Sequence, residues 1–157
     1  MAQADLKTHL IKNLSTSHAH ISLEDALKDI RHELLGKEVP GIPYTIWQLT
    51  EHIRITQWDI VEFSKNPHHV SPKWPEEYWP SKKSPSSFEE FEKSVRVLQS
   101  DRDSFIELLA NPDTDLLKIF EHGTGQNLLK EALLIIDHTS YHTGQIIVLR
   151  RLLNDWK

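Results

Sequence analysis

The chain has 157 residues, 38% of them hydrophobic and 26% charged, with a formal net charge of -5 and no cysteine. That length and balance suit one domain spanning residues 1–157 with a substantial core, and the negative charge argues against a nucleic-acid partner. The lack of cysteine excludes disulfides, thiolate metal sites and cysteine nucleophiles. Met1–Leu14 mixes Asp5, Lys7 and His9 with its apolar residues, unlike the continuous apolar core of a signal peptide. No run approaches the roughly 18 apolar residues of a membrane span. The expectation is a cytoplasmic protein without a membrane partner.

Glycine is scarce and the long segments show helical periodicity, which predicts an all-α fold of four main helices. The first runs from about Ala4 to Ser15, with Leu6, Leu10, Ile11 and Leu14 on one side. A short helix follows at Ser22–Ile30, where Ser22 and Asp25 loosely match a capping box. Gly36–Pro43 breaks the chain. Thr45 and Gln48 are a full capping-box match and start the second main helix, which runs to about Ser64. The third spans about Ser87–Leu109, with Phe88, Phe91, Val95, Leu98 and Phe105 inward, and Asn111-Pro112-Asp113 ends it. Asp115–Phe120 is a short apolar piece of uncertain type. Gly123-Thr124-Gly125 is a turn, and Asn127 is the N-cap of the fourth main helix.

Asn66–Ser86 is an unusual connection. It carries Pro67, Pro72, Pro75, Pro80 and Pro85 with Trp74, Tyr78 and Trp79. Proline makes such a segment extended and stiff. It reads first as an ordered strap whose aromatics cover the bundle, and second as a pocket wall or dimer contact. Its length also allows the second and third main helices to run parallel.

The fourth main helix holds the most informative residues. At about 100° per residue, Leu128, Leu134, Ile135, Ile146, Leu149, Leu152 and Leu153 share a stripe. His138 and His142 fall within it, one turn apart, as do Glu131 and Gln145. Buried polar groups need partners, because an unpaired one costs roughly several kcal/mol. They either satisfy each other or line a site. On the second main helix, His52 falls in the stripe of Ile46, Leu49, Ile53, Ile60 and Phe63. Three inward histidines on two helices can form a facial metal-ligand set for zinc, nickel or another late first-row ion. The competing reading is three packed core histidines. The pattern is not the metalloprotease H-E-x-x-H, because Thr139 follows His138. Glu131 is a proton acceptor or supports a ligand, or else is an N-terminal-turn glutamate favoured by the helix dipole. Asp59 either bonds an imidazole from outside the ligand set or makes a surface ion pair. Gln145 orients a ligand or simply bonds backbone; Glu51 is expected to be solvated and Tyr141 to pack. His18, His20, His68 and His69 fall in expected turns.

Trp47-Gln-Leu-Thr-Glu-His52-Ile and Asp137-His138-Thr-Ser-Tyr141-His142-Thr-Gly144-Gln145-Ile together resemble the DinB-like superfamily. The Leu149-Arg150-Arg151-Leu152 ending, His20-Ile-Ser-Leu-Glu-Asp-Ala-Leu and the Pro/Trp crossover are similar as well. The resemblance implies a four-helix bundle with up-down-down-up topology, a divalent metal ion on His52, His138 and His142, and a homodimer. It also implies relatives that transfer low-molecular-weight thiols such as bacillithiol or mycothiol, or isomerise with a thiol. The expectation is a metal-dependent thiol transferase or hydrolase acting on a small molecule. The alternative is a non-catalytic, metal-stabilised protein that binds a small ligand or dimerises.

Overall fold

A computed structural model describes residues 2–16 and 19–156. Met1, His18 and Lys157 lie outside them. Among the described residues the chain is helical with no strand: α1 (Ala2–Ser15), α2 (Leu23–Leu27), α3 (His32–Leu35), α4 (Ile46–Lys65), α5 (Phe88–Ala110) and α6 (Leu128–Leu152), with a 3₁₀ turn at Glu76–Tyr78. The helix starts are set by side-chain caps. Thr45 Oγ1 accepts from the Gln48 N–H, and the Gln48 side chain accepts from the Thr45 N–H, so both halves of the capping box form. Ser22, Ser87 and Asn127 cap α2, α5 and α6 in the same manner through Asp25, Glu90 and Lys130.

α4 packs against both α5 and α6, and α1 closes on α5 and α6. Gln57 Nε2 donates to the Leu98 carbonyl at 2.6 Å, and Lys65 Nζ donates to Ser104 Oγ at 2.9 Å. Residue numbers rise together along both helices, so α4 and α5 run parallel and the Asn66–Ser86 strap returns the chain along the bundle. His52 meets His138, whereas Asp59 acts electrostatically on Glu131. α4 and α6 are therefore antiparallel.

The core is two apolar clusters. One contains Leu49, Ile53, Leu98 and Ile146, the other Ile60, Phe105, Leu128 and Ile135. The α6 segment between Ile135 and Ile146 joins the two, and the histidines sit there.

Three elements depart from the sequence pattern. The short helix ends at Leu27, because Asp29 takes a left-handed φ of 54°, and a separate turn of helix, α3, follows. Phe88 is 39% exposed, not inward, being the first residue of its helix. Leu134 and Leu152 are 43% and 55% exposed. The buried line of α6 runs through Ile135, Ile146 and Leu149. At about 100° per residue, Leu134 and Leu152 fall on a flank shared with Tyr141 and Val148, which are also exposed. Asp115–Phe120 is irregular, with Leu116 buried and Leu117 and Ile119 outside.

Candidate metal centre

α4 contributes His52, which is almost wholly buried. Its Nδ1 donates to the Tyr78 carbonyl oxygen at 2.9 Å, and its ring lies flat on Trp79, with centroids 3.9 Å apart and planes inclined by 4°. The strap thus grips His52 on an edge and a face. α6 contributes His138 and His142, whose centroids are 4.4 Å apart, as i,i+4 spacing on a helix dictates. Each is 4.8 Å from His52 by the same measure. One nitrogen from each of the three rings lies within 4.8 Å of the other two. His142 Nδ1 donates to Gln145 Oε1 at 2.6 Å.

These partners determine where the protons sit. The Tyr78 carbonyl only accepts, so His52 carries its proton on Nδ1 and presents a bare Nε2. The side-chain oxygen of Gln145 imposes the same choice on His142. His138 Nε2 stands 3.0 Å from His52 Nε2. Because His52 Nε2 is bare, His138 donates in that contact. All three rings are held neutral. Burial pulls the His138 pKa down to about 3, and repulsion from charged forms of His142 and His52 adds to the effect. Burial lowers His52 too, opposed by its bond to the Tyr78 carbonyl, and lowers His142, opposed by Gln145. Neutral imidazoles with the outer nitrogen tied to a carbonyl-type oxygen are the ligand form a divalent ion requires.

The sequence model of the DinB superfamily matches residues 16–146, a span containing all three histidines. The chain belongs to the DinB superfamily. No curated protein and no solved structure matches it.

Other residues of this DinB-superfamily chain fall in and around the cluster. Glu131 is 4% exposed and its pKa is raised, first by burial and further by the charge of Asp59, with Lys130 opposing. Asp59 is buried rather than paired at the surface. Its Oδ1 accepts from His69 Nε2 at 2.7 Å and its Oδ2 from the Tyr78 hydroxyl at 2.5 Å. Gln145 bonds an imidazole rather than backbone. Glu51, expected in solvent, is 8% exposed, because Arg54 one turn on clamps both of its oxygens at 2.8 Å. Tyr141 is 64% exposed, with its ring edge toward His142 at 4.9 Å. His20 bonds Ser140 at the surface. Periodicity has no access to Tyr78 and Trp79, since the strap has no repeat. Their signal is two aromatics embedded between Pro75 and Pro80. A cavity of about 160 Å³, lined in part by Leu14, Gln57, Arg102 and Thr143, lies on the neighbouring face of α6, and none of the three histidines lines it.

Proposed function

We propose that His52, His138 and His142 hold a divalent metal ion, zinc or nickel, and that the protein is a metal-dependent enzyme activating a low-molecular-weight thiol or water against a small electrophilic substrate. The observation that carries this reading is the approach of three imidazoles from two helices, one nitrogen of each within 4.8 Å of the other two, with Nδ1 of His52 and of His142 tied to an oxygen so that Nε2 is left unprotonated. Among the described residues no further His, Asp or Glu joins the three, and there is no cysteine. Structural zinc sites are closed by four protein ligands, whereas three ligands leave a position for a reactant. Bound there, such an ion supplies a lowered pKa to a thiol or water. Glu131, buried two turns before His138, is the group we assign to exchange a proton; burial raises its pKa above the ordinary carboxylate value. Trp79 and Tyr141 flank the imidazoles with aromatic surface for an apolar part of the substrate.

Elemental analysis of tag-free protein beside a His138→Ala/His142→Ala double variant tests the reading. Near-stoichiometric zinc or nickel in the native chain and none in the double variant is expected. No metal in either, after reconstitution with several divalent ions, sinks it. Thiol-transfer and hydrolysis screens then separate the two reaction types.

A second reading rests on a separate observation. Leu133, Leu134, Tyr141, Val148 and Leu152 are 43–64% exposed on one side of α6, large apolar side chains of the kind that mark an interface when they cluster. We propose that a second copy of the chain covers it. Tyr141→Glu with Val148→Glu should convert a dimer to a monomer in sedimentation velocity. A native chain that sediments as a monomer at tens of micromolar disposes of this reading and leaves the metal site untouched.

A further inference from the structure

The strap touches α4 at one carboxylate before it reaches the site. His69, near the start of the strap, and Tyr78, in its 3₁₀ turn, both donate to Asp59, one to each oxygen. Trp58 packs edge-on against the His69 ring, with centroids 5.3 Å apart, so this contact is also held from α4. Asp59 is 8% and Tyr78 7% exposed. A buried carboxylate needs such donors, since an unpaired one is far costlier than an unpaired neutral group. The consequence lies one residue's length away. The carbonyl of the same Tyr78 accepts from His52 Nδ1, and the next residue, Trp79, lies on the His52 ring. His52 and Asp59 are seven positions apart on one helix face, so the Tyr78 phenol and the Tyr78 carbonyl are anchored to the same rigid element.

We propose that Asp59 is a positioning residue for the histidine cluster: by tethering the Tyr78 phenol it fixes the carbonyl that keeps His52 in the tautomer whose Nε2 is bare. His69 holds the carboxylate's other oxygen and completes the chain His69–Asp59–Tyr78–His52. The Asp59 carboxylate touches none of the three imidazoles and acts on His52 only through the strap. Loss of the tether leaves the Tyr78 carbonyl in the covalent chain but no longer aimed. His52 then moves its proton between its two nitrogens, and a fraction of the protein presents an N–H where a lone pair is needed. Partners of this kind outside the ligand set are worth about 10–100-fold in metal affinity.

The inference rests on the proposed metal site for its functional meaning, and its test separates the two. Uniformly ¹⁵N-labelled, metal-free, full-length protein is compared with Tyr78→Phe and Asp59→Asn by long-range ¹H–¹⁵N correlation of the imidazoles. Zinc affinity is measured on the same samples by chelator competition. The native protein should show His52 as the Nδ1–H tautomer. Both variants should show it mixed, with the His142 tautomer retained and zinc bound at least tenfold more weakly. Tyr78→Phe removes a single oxygen and decides the matter if Asp59→Asn does not fold. A His52 tautomer that persists in the folded variants overturns the proposal whatever the affinity does. If the native protein binds no zinc, the metal reading fails, and the tautomer still decides whether the tether exists.

Discussion

At the C-terminal end of α6, Arg150 is 3% exposed, and all three guanidinium nitrogens donate hydrogen bonds. Nη1 donates to the Ala26 and Lys28 carbonyls, both at 2.8 Å. Nε donates to Asp155 Oδ2 at 2.8 Å, and Nη2 reaches the Asp155 carboxylate at 2.7 Å and its carbonyl at 3.2 Å. Trp156 lies under the guanidinium at 4.9 Å. Toward the middle of the same helix, His138 and His142 meet His52 of α4; His52 and His142 are buried and His138 half-buried, but their bonding is incomplete. Their outer nitrogens are tied to Tyr78 and Gln145, and the inner nitrogens of His52 and His138 face each other across 3.0 Å. His142 Nε2 has no hydrogen-bonding partner among the described residues. Buried polar groups that serve the fold close most of their bonds. The histidines close the bonds that orient them, spend one inner nitrogen pair on each other, and leave His142 Nε2 open. That difference, more than burial or spacing, separates a site from a structural knot.

The largest effect that can break the comparison is at the knot. Arg150→Ala removes the donor of the Ala26, Lys28 and Asp155 carbonyls and leaves the Asp155 carboxylate with Arg31 Nε alone at 3.2 Å; breaking a buried pair on one side costs about 3–5 kcal/mol. Urea denaturation of the metal-free protein should show a loss of that order, with the metal content per folded molecule unchanged. A variant that keeps its stability would mean that Asp155 and the α2 carbonyls are already solvated. One that loses metal while folded would mean that knot and site are a single unit.

A smaller effect is expected at Gln145. Gln145→Leu keeps the bulk and removes the oxygen that takes the His142 Nδ1 proton. Zinc affinity should fall roughly tenfold, with the denaturation midpoint of the metal-free protein nearly unmoved. If instead stability falls and affinity holds, Gln145 belongs with Arg150, as a group serving the fold.

The two regions were unequally legible in the sequence. Helical period placed His52, His138 and His142 on apolar stripes, and i,i+4 spacing brought two of them together. Local rules need only neighbours, which is why the Thr45–Gln48 box and the Asn127 cap could be read directly. The period failed at Leu134 and Leu152, where a stripe drawn too wide included a flank that no helix covers. Glu51 reads as solvated from its angle, but Arg54 neutralises it where it is. Apart from its place in the Leu149-Arg150-Arg151-Leu152 ending, Arg150 carried no sign of burial, since two of its acceptors are the Ala26 and Lys28 carbonyls more than a hundred residues away, and a carbonyl has no letter in the sequence. The strap residues were hidden for a related reason. His69, Tyr78 and Trp79 lie in a proline-rich segment with no repeat, and only the folded path shows that they converge on Asp59 and His52.

A further effect, spread over pH, is expected at the site. His138 has an ordinary pKa of 6.5 when the chain is unfolded and about 3 when it is folded and metal-free. Between those values the unfolded chain binds a proton that the folded chain does not. Stability from this group is therefore complete above about pH 6.5 and is lost progressively as pH falls toward 3. The slope is at most one proton's worth, about 1.4 kcal/mol per pH unit. His52 and His142 act in the same direction, because both are lowered. Glu131 acts oppositely: its pKa is raised in the fold, so its contribution is lost as pH rises above 4.5 through the folded value. Denaturation midpoints of metal-free protein at several pH values from 4.5 to 7.5 should climb with pH, and His138→Gln should flatten the climb. Arg150→Met should lower the whole curve. Parallel curves for the native chain and His138→Gln would show that the imidazole charges as readily in the fold as in water, and the contrast between an open and a closed polar cluster would fail at the point where it is most specific.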